Sequence, residues 1–215
     1  MYIAEGFFED EEDIATWPKQ SFGPVQPGDV KYRDVNGDGL VDSQDRVMAG
    51  YPQIPEFNYS FGTTMAYKGF DWSIFFTGRG RSSYFFYGET IYPFIYGQES
   101  NVQREFYEYR WRPGADNSKA RYPRVSTMRN NNNNLLSTLY MREGSCLRLK
   151  NVEIGYTLPS KKADRIKISS CRFFLNGVDL LLFDKLKIAD PETNNGNVSY
   201  YPKQSTVNAG VEITF

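Results

Sequence analysis

The stretch Val207-Asn-Ala-Gly-Val-Glu-Ile-Thr-Phe215 decides the fold when it is read with the segment from Phe57 to Arg79. Val207, Ala209, Val211, Ile213 and Phe215 are apolar, and the residues between them are polar or small. Successive side chains on a strand point to opposite faces, so this is a strand with one oily and one wet side. Phe57, Tyr59, Phe61, Thr63, Met65 and Tyr67 repeat the alternation against Asn58, Ser60, Gly62, Thr64, Ala66 and Lys68. Past a short turn at Lys68-Gly69, Phe70, Trp72, Ile74 and Phe76 repeat it again. A half-buried soluble sheet has the same period. Aromatic density on one face, small or polar residues on the other and the closing Phe215 favour the wall of a transmembrane β-barrel. On that reading Phe57, Tyr59, Phe61, Phe70, Trp72, Ile74 and Phe76 face lipid.

Composition supports the same class. With 16 Tyr and 16 Phe the chain is rich in the residues that form the aromatic girdles of such barrels. The 25 basic and 26 acidic side chains balance, so nothing calls for nucleic acid or an anionic membrane surface. The absence of histidine removes the commonest general base and the commonest transition-metal ligand, which argues against zinc chemistry and against Ser-His or Cys-His catalysis. A glycan-cleaving carboxylate pair has candidates in Glu89 and Glu99, but nothing in their spacing selects them, and the chain is read as no enzyme. Cys146 and Cys171 fall near opposite ends of neighbouring strands, roughly 30 Å apart at ~3.3 Å per residue, which predicts two free thiols. No apolar run of ~18 residues exists to form a membrane helix. Met1-Tyr-Ile-Ala-Glu-Gly6 leads into acidic Glu9 to Asp13 rather than a signal peptide, and since barrel strands must be exported, the sequence reads as a fragment of a longer chain.

Residues 1–56 are turn-rich and polar and read as an ordered loop without a core of its own. Within it, Asp34, Asn36, Asp38, Leu40, Asp42 and Asp45 fit a calcium-loop pattern over 34–45, with carboxylate and amide oxygens on alternate residues and a backbone carbonyl at Leu40. Position twelve is Asp45 where a longer Glu would reach better, and Pro27 to Tyr32 make a poor incoming helix, so the pattern predicts a stand-alone loop. The competing reading is an Asx-turn loop that needs no ion.

Strands are predicted over about 57–67, 70–80, 145–157, 170–181 and 206–215, with outer loops over 82–143 and 182–205. In the third strand Leu147 and Leu149 lie on one phase and Val152, Ile154 and Tyr156 on the other, and the slip between Lys150 and Asn151 predicts a bulge or a change from loop packing to membrane wall. Phe173-Phe174 blurs the phase of the fourth. In the long insert, Asn101 to Trp111 read as a short helix capped by Asn101, and Asn130 to Asn134 read as a flexible low-complexity tract. Its Arg, Trp and Tyr residues form either loop packing or a sugar-stacking platform. Lys161 to Lys167 read as a solvated basic turn. With strands alternating in direction, every long connection falls on one side, which is the parity of an outer-membrane barrel. Five strands cannot close one, since ~8 is the bacterial minimum.

The stretch Pro27-Gly-Asp-Val-Lys-Tyr-Arg-Asp-Val-Asn-Gly-Asp-Gly-Leu-Val-Asp-Ser-Gln-Asp-Arg46 resembles the acidic loop near the C-terminus of SusC/RagA-type TonB-dependent outer-membrane transporters of Bacteroidetes. Tyr67 to Trp72, Tyr122 to Arg124, Leu147 to Pro159 and the ending from Tyr201 to Phe215 resemble the family as well, in the family's order. The resemblance implies a 22-stranded barrel with an N-terminal plug, a SusD-like lipoprotein lid, energy supplied through TonB and oligosaccharide or peptide cargo. It implies an outer-membrane location. It makes the chain the C-terminal barrel portion and Phe215 the signal read by the barrel-assembly machinery; otherwise Phe215 is membrane girdle. The alternative function is a calcium-stabilised β-rich surface binding or adhesion module.

Overall fold

Eleven strands are present among the described residues of the computed structural model, which are 1–88, 92–94, 101–161, 167–186, 189–193, 201 and 203–215. They are β1 (Ala4–Phe7), β2 (Lys19–Gln20), β3 (Val30–Tyr32), β4 (Leu40–Val41), β5 (Phe57–Tyr67), β6 (Phe70–Gly80), β7 (Ser83–Phe85), β8 (Met141–Glu143), β9 (Cys146–Thr157), β10 (Ser170–Asp184) and β11 (Thr206–Thr214). The chain forms two compact units, one of Met1–Gly50 and Tyr84–Arg142, the other of Tyr51–Ser83, Glu143–Thr193 and Tyr201–Phe215.

The second unit is a five-stranded antiparallel sheet in the order β5-β6-β9-β10-β11, a meander of the five predicted strands. Lys68 and Gly69 join β5 to β6 with φ of 49° and 89°. Positive φ at both central residues gives the hairpin turn whose twist matches its strands. A Cβ on Gly69 would also lie 2.8 Å from the Thr157 carbonyl oxygen, so glycine is required twice over. The predicted bulge is present: Phe75 pairs with Asn151 and Phe76 with Leu149, which leaves Lys150 as the extra residue. Opposite it, β10 slips between Val178 and Leu181, and Asp179 sits at φ 53°. The Lys150 ammonium donates to Asp179 at 2.8 Å, so the two irregularities are tied together. The slip brings Leu147, Leu149, Val152, Ile154 and Tyr156 onto one face, as the cross-strand partners Gly78, Phe76, Ile74, Trp72 and Phe70 show.

The first unit departs from expectation. Residues 1–50 do contribute a core: Tyr2, Val30, Tyr32 and Val41 are buried together, with Leu135 and Leu139 packed against them. β1 pairs with β3, and β2 runs parallel to β4. These core residues are far apart in sequence, and Val30, Tyr32 and Val41 lie on strands of three residues or fewer, too short for a period to register. An unpredicted helix, Glu11–Thr16, begins at Asp10, whose carboxylate accepts from the Asp13 N–H. The predicted helix is shorter than expected, Arg104–Glu108, and Gln103 rather than Asn101 precedes it without a side-chain cap. The Asn130 to Asn134 tract is no flexible linker, since Asn132 and Asn133 are buried. The basic turn falls largely at 162–166, outside the described residues, as do Glu89 and Glu99.

Gly28 carries a sharp prediction. At φ 87°, its missing Cβ would come 2.3 Å from the Trp111 ring and 2.9 Å from the Arg124 Cβ. Left-handed backbone alone costs a non-glycine residue about 1–3 kcal/mol, and displacing a buried indole adds to it. Gly28→Ala should therefore lower the first unit's unfolding midpoint in a chemical-denaturation series, while Gly114→Ala, also at positive φ but with open space at its Cβ, should lower it less.

Candidate functional site

The sheet of the second unit has two chemically opposite faces, and these are the candidate site. Cross-strand register puts Phe57, Tyr59, Phe61, Met65 and Tyr67 of β5 on the same face as Phe70, Trp72, Ile74 and Phe76 of β6. The register continues through Val152, Ile154 and Tyr156, then Cys171, Phe173 and Leu175, then Val207, Val211 and Ile213. Every predicted wall residue is on this face. Phe61, Phe70, Ile154, Phe173, Leu175, Val211 and Ile213 are each about half exposed or more, and Phe215 is 90% exposed. Phe173 therefore belongs to the oily face and Phe174 to the other, which resolves the ambiguous pair. Soluble monomers rarely leave so large an apolar patch bare.

The opposite face carries Asn58, Ser60, Thr64, Asp71, Ser73, Thr77, Asn151, Glu153, Arg172, Asn176, Asn208 and Glu212. Toward its short-turn end lies a charge clamp. The Arg172 guanidinium donates to Asp71 at 2.5 Å and to Glu153 at 2.6 Å, and Asn176 donates to Glu153 at 3.2 Å. Arg172 on β10 reaches Asp71 on β6 by crossing Gly155 on β9, where a Cβ would meet the guanidinium at 2.5 Å. Phe174 fills the corresponding gap over Gly210 of β11. Sequence reading missed this clamp. Its signal was the opposite charges of Asp71, Glu153 and Arg172 at polar-phase positions, and it became readable only with the register.

A buried charge lies toward the loop end of that face. The Arg148 side chain is 4% exposed and holds Asp190 at 2.7 Å and Glu192 at 2.8 Å. Cys146 and Cys171 are free and buried, as expected.

The acidic loop 34–45 is closed by its own backbone. Asp34 accepts from Gly37 and Gly39 N–H, Asp38 from Leu40, and Asp42 from Gln44. Asp45 is fully buried and accepts from the Val35, Asn36 and Asp42 N–H groups. Leu40 begins β4, whose bonds to β2 are accepted by the Gly39 and Val41 carbonyls on either side of it. Among the described residues no three acidic or cysteine side chains stand together as a metal cluster. The mutual repulsion expected of these oxygens is relieved by amide donors.

Burial opposes ionisation of Asp45, but the hydrogen bonds from Asp42, Val35 and Asn36 outweigh it and hold its carboxyl below the ordinary 3.8. A folded value below the unfolded one adds stability that is present above the unfolded pKa and lost as pH falls through the folded one. The loop should therefore resist pepsin at pH 4 and yield to it progressively below 3.8, with Asp45→Asn cleaved already at the higher pH.

No protein-family model matches the chain. It is 29% identical to TonB-dependent receptor P26 of Formosa agariphila over 94% of this chain and 22% of that one. It is 28% identical to TonB-dependent receptor P3 of the same organism over 88% of this chain and 18% of that one. The solved structure of the RagAB peptide transporter superposes on all of this chain with a TM-score of 0.70 at 20% identity, over 22% of its own length. An open-open state of the RagAB peptide importer gives 0.66 at 18%. The chain thus spans about a fifth of the length of the relatives it matches. All of these are named receptors, importers or transporters, in keeping with a chain that is no enzyme. Over about a fifth of their length, then, the TonB-dependent receptors and the RagAB transporter are what this chain resembles, in sequence for the former and in its antiparallel fold for the latter, a likeness to SusC/RagA-type TonB-dependent transporters.

Proposed function

We propose that the chain supplies wall strands and loops to a TonB-linked transporter of the bacterial outer membrane, which takes up oligosaccharides or peptides together with a SusD-like surface lipoprotein. The observation that carries this reading is the uncovered apolar face running unbroken across five strands opposite a charged, hydrogen-bonded one. A barrel wall needs that pairing of faces, with lipid on one side and an aqueous lumen on the other. A soluble adhesion module would need the oily face covered. The two outer strands of the sheet, β5 and β11, pair on one side only among the described residues, and in the whole transporter neighbouring barrel strands would complete them. Phe215, beyond β11 and in phase with Ile213, is proposed as the signal for the barrel-assembly machinery.

Single cysteines in the full-length receptor test the reading on whole cells. Cysteine at Ile74 or Ile154 should resist a membrane-impermeant maleimide and react with an apolar one, whereas cysteine at Ser60 or Glu153 should react with the impermeant reagent. Equal reactivity of both faces would end the proposal.

The loop 34–45 is proposed to take calcium through oxygens of Asp34, Asn36, Asp38, Asp42 and Asp45 and the Leu40 carbonyl, because a carboxylate that accepts one N–H retains further lone pairs. The ion would supply fixed positive charge to an acidic turn. Calorimetric titration with calcium should give saturable heat that Asp38→Ala removes, and no heat would refute it.

A further inference from the structure

We propose that the segment Ala189–Thr193 is a strap latched onto the polar face of the sheet by Arg148, and that the latch limits how large a solute reaches the loop end of that face. The proposal rests on reading the polar face as a lumen. Arg148 pairs across the sheet with Thr77 on one side and Leu182 on the other, so it projects from the face that also carries Asn151 and Glu153. Asn151 on that face is exposed and Glu153 is half-buried, yet Arg148 is buried. Two of the carboxylates against it, Asp190 and Glu192, are those of the strap, and the third is Asp179 of β10.

One guanidinium nitrogen of Arg148 lies 2.7 Å from both Asp190 carboxylate oxygens, and its Nε lies 2.8 Å from Glu192. One donor shared by the two Asp190 oxygens, with the Glu192 and Asp179 carboxylates as further ion-pair partners, surrounds the cation with negative charge. Asp190 in turn orders the strap by accepting from the Glu192 N–H, while its carbonyl accepts from the Thr193 N–H and hydroxyl. Pro191, at the centre of this turn, is fully buried. Glu192 also pairs with Lys203 at 2.5 Å, and Ser205 donates to the Asp179 carbonyl at 2.6 Å. The connection between β10 and β11 is thus pinned at both its ends.

Beside the strap lies a crevice of about 480 Å³, floored by Asn58, Ser60, Thr77 and Arg79 and walled by Glu192 and Lys203. Its entrance width is therefore set by where Arg148 holds the strap. An arginine is suited to this because it stays charged at every physiological pH and binds two carboxylates at once.

The test uses the full-length receptor in the outer membrane, with Cys146 and Cys171 replaced by alanine and a reporter cysteine at Ser60. The readout is the ratio of labelling rates for a polyethylene-glycol maleimide and for small N-ethylmaleimide, in barrels shown to be folded by their heat-modifiable mobility. Arg148→Met should raise the ratio roughly tenfold, as expected when a minor open state becomes dominant. Glu192→Gln, which removes only one partner, should raise it by less. Arg148→Lys should restore part of the original value, a recovery that mere packing would not produce. An unchanged ratio in folded Arg148→Met barrels overturns the latch. Reaction of a cysteine at Ile74 as fast as one at Ser60 overturns the lumen reading instead, and so the two failures are separable.

Discussion

Ile74→Arg should destabilise the membrane-folded receptor by about 2–4 kcal/mol, while Ser73→Arg one residue earlier should change it by no more than about 0.5 kcal/mol. Ile74 is the mid-strand residue of β6 on the oily face, flanked across the sheet by Thr63 and Val152. A guanidinium there has hydrocarbon around it and no cross-strand carboxylate to meet. Ser73 points the other way and pairs across the sheet with Thr64 and Glu153, so an arginine in its place gains water and an acidic neighbour. The measurement is a urea titration of the receptor folded into phospholipid vesicles. If the two variants lost equal stability, the assignment of faces would be wrong, whatever the sequence relationship.

That prediction uses the part of the structure most open to sequence reading. Alternation over 57–80, with Phe75 as an exception on the polar phase, and over 206–214 states both strand and face, because side-chain period two has no other solution on a pleated strand. The Lys150 bulge was visible as one of two readings of the slip between Leu149 and Val152, and the register with β6 decides for it. Phe173-Phe174 shows the limit of the method. Two adjacent aromatics fit either phase, and the assignment is settled by neighbours, Tyr156 and Val211 beside Phe173, Gly155 and Gly210 beside Phe174. Arg148 and Arg172 were hidden for a related reason. Each meets carboxylates that are close only once three strands are in register or once a loop has folded back. The acidic loop illustrates a third case, in which one residue pattern serves a cation site and an amide-closed turn alike.

Asn132→Ala should cost the first unit about 3 kcal/mol, and Asn131→Ala next to it should be close to neutral. The two residues share a type and a tract but not an environment. Asn131 is exposed, whereas Asn132 is 1% exposed. The Asn132 amide donates to the Val30 carbonyl at 2.9 Å and accepts from Gln20 at 2.7 Å, while its backbone carbonyl accepts from the Tyr32 hydroxyl. Asn133 beside it accepts from the Val30 N–H and donates to the buried Asp29. This polar knot joins β2 and β3 to a segment about a hundred residues later, and it adjoins buried Tyr32 and Tyr140, whose hydroxyls end on asparagine carbonyls. Burial pushes both tyrosines well above their ordinary pKa, so they stay neutral and donate. Truncating Asn132 removes the acceptor of one Gln20 amide hydrogen, leaves the Val30 carbonyl with Gln20 as its side-chain donor, and opens a gap beside the Tyr32 ring, and each buried polar group short of a partner costs about 1–3 kcal/mol. Asn132→Asp should be worse still, because it removes the donor to Val30 and places an acid beside Asp29 and the Asn133 amide oxygen. Chemical denaturation of the three variants, followed through Trp17, whose indole donates to the Tyr32 carbonyl at 2.8 Å, reads the difference directly. A flat response across Asn131 and Asn132 would return the tract to a flexible linker and remove the knot as the organiser of the unit.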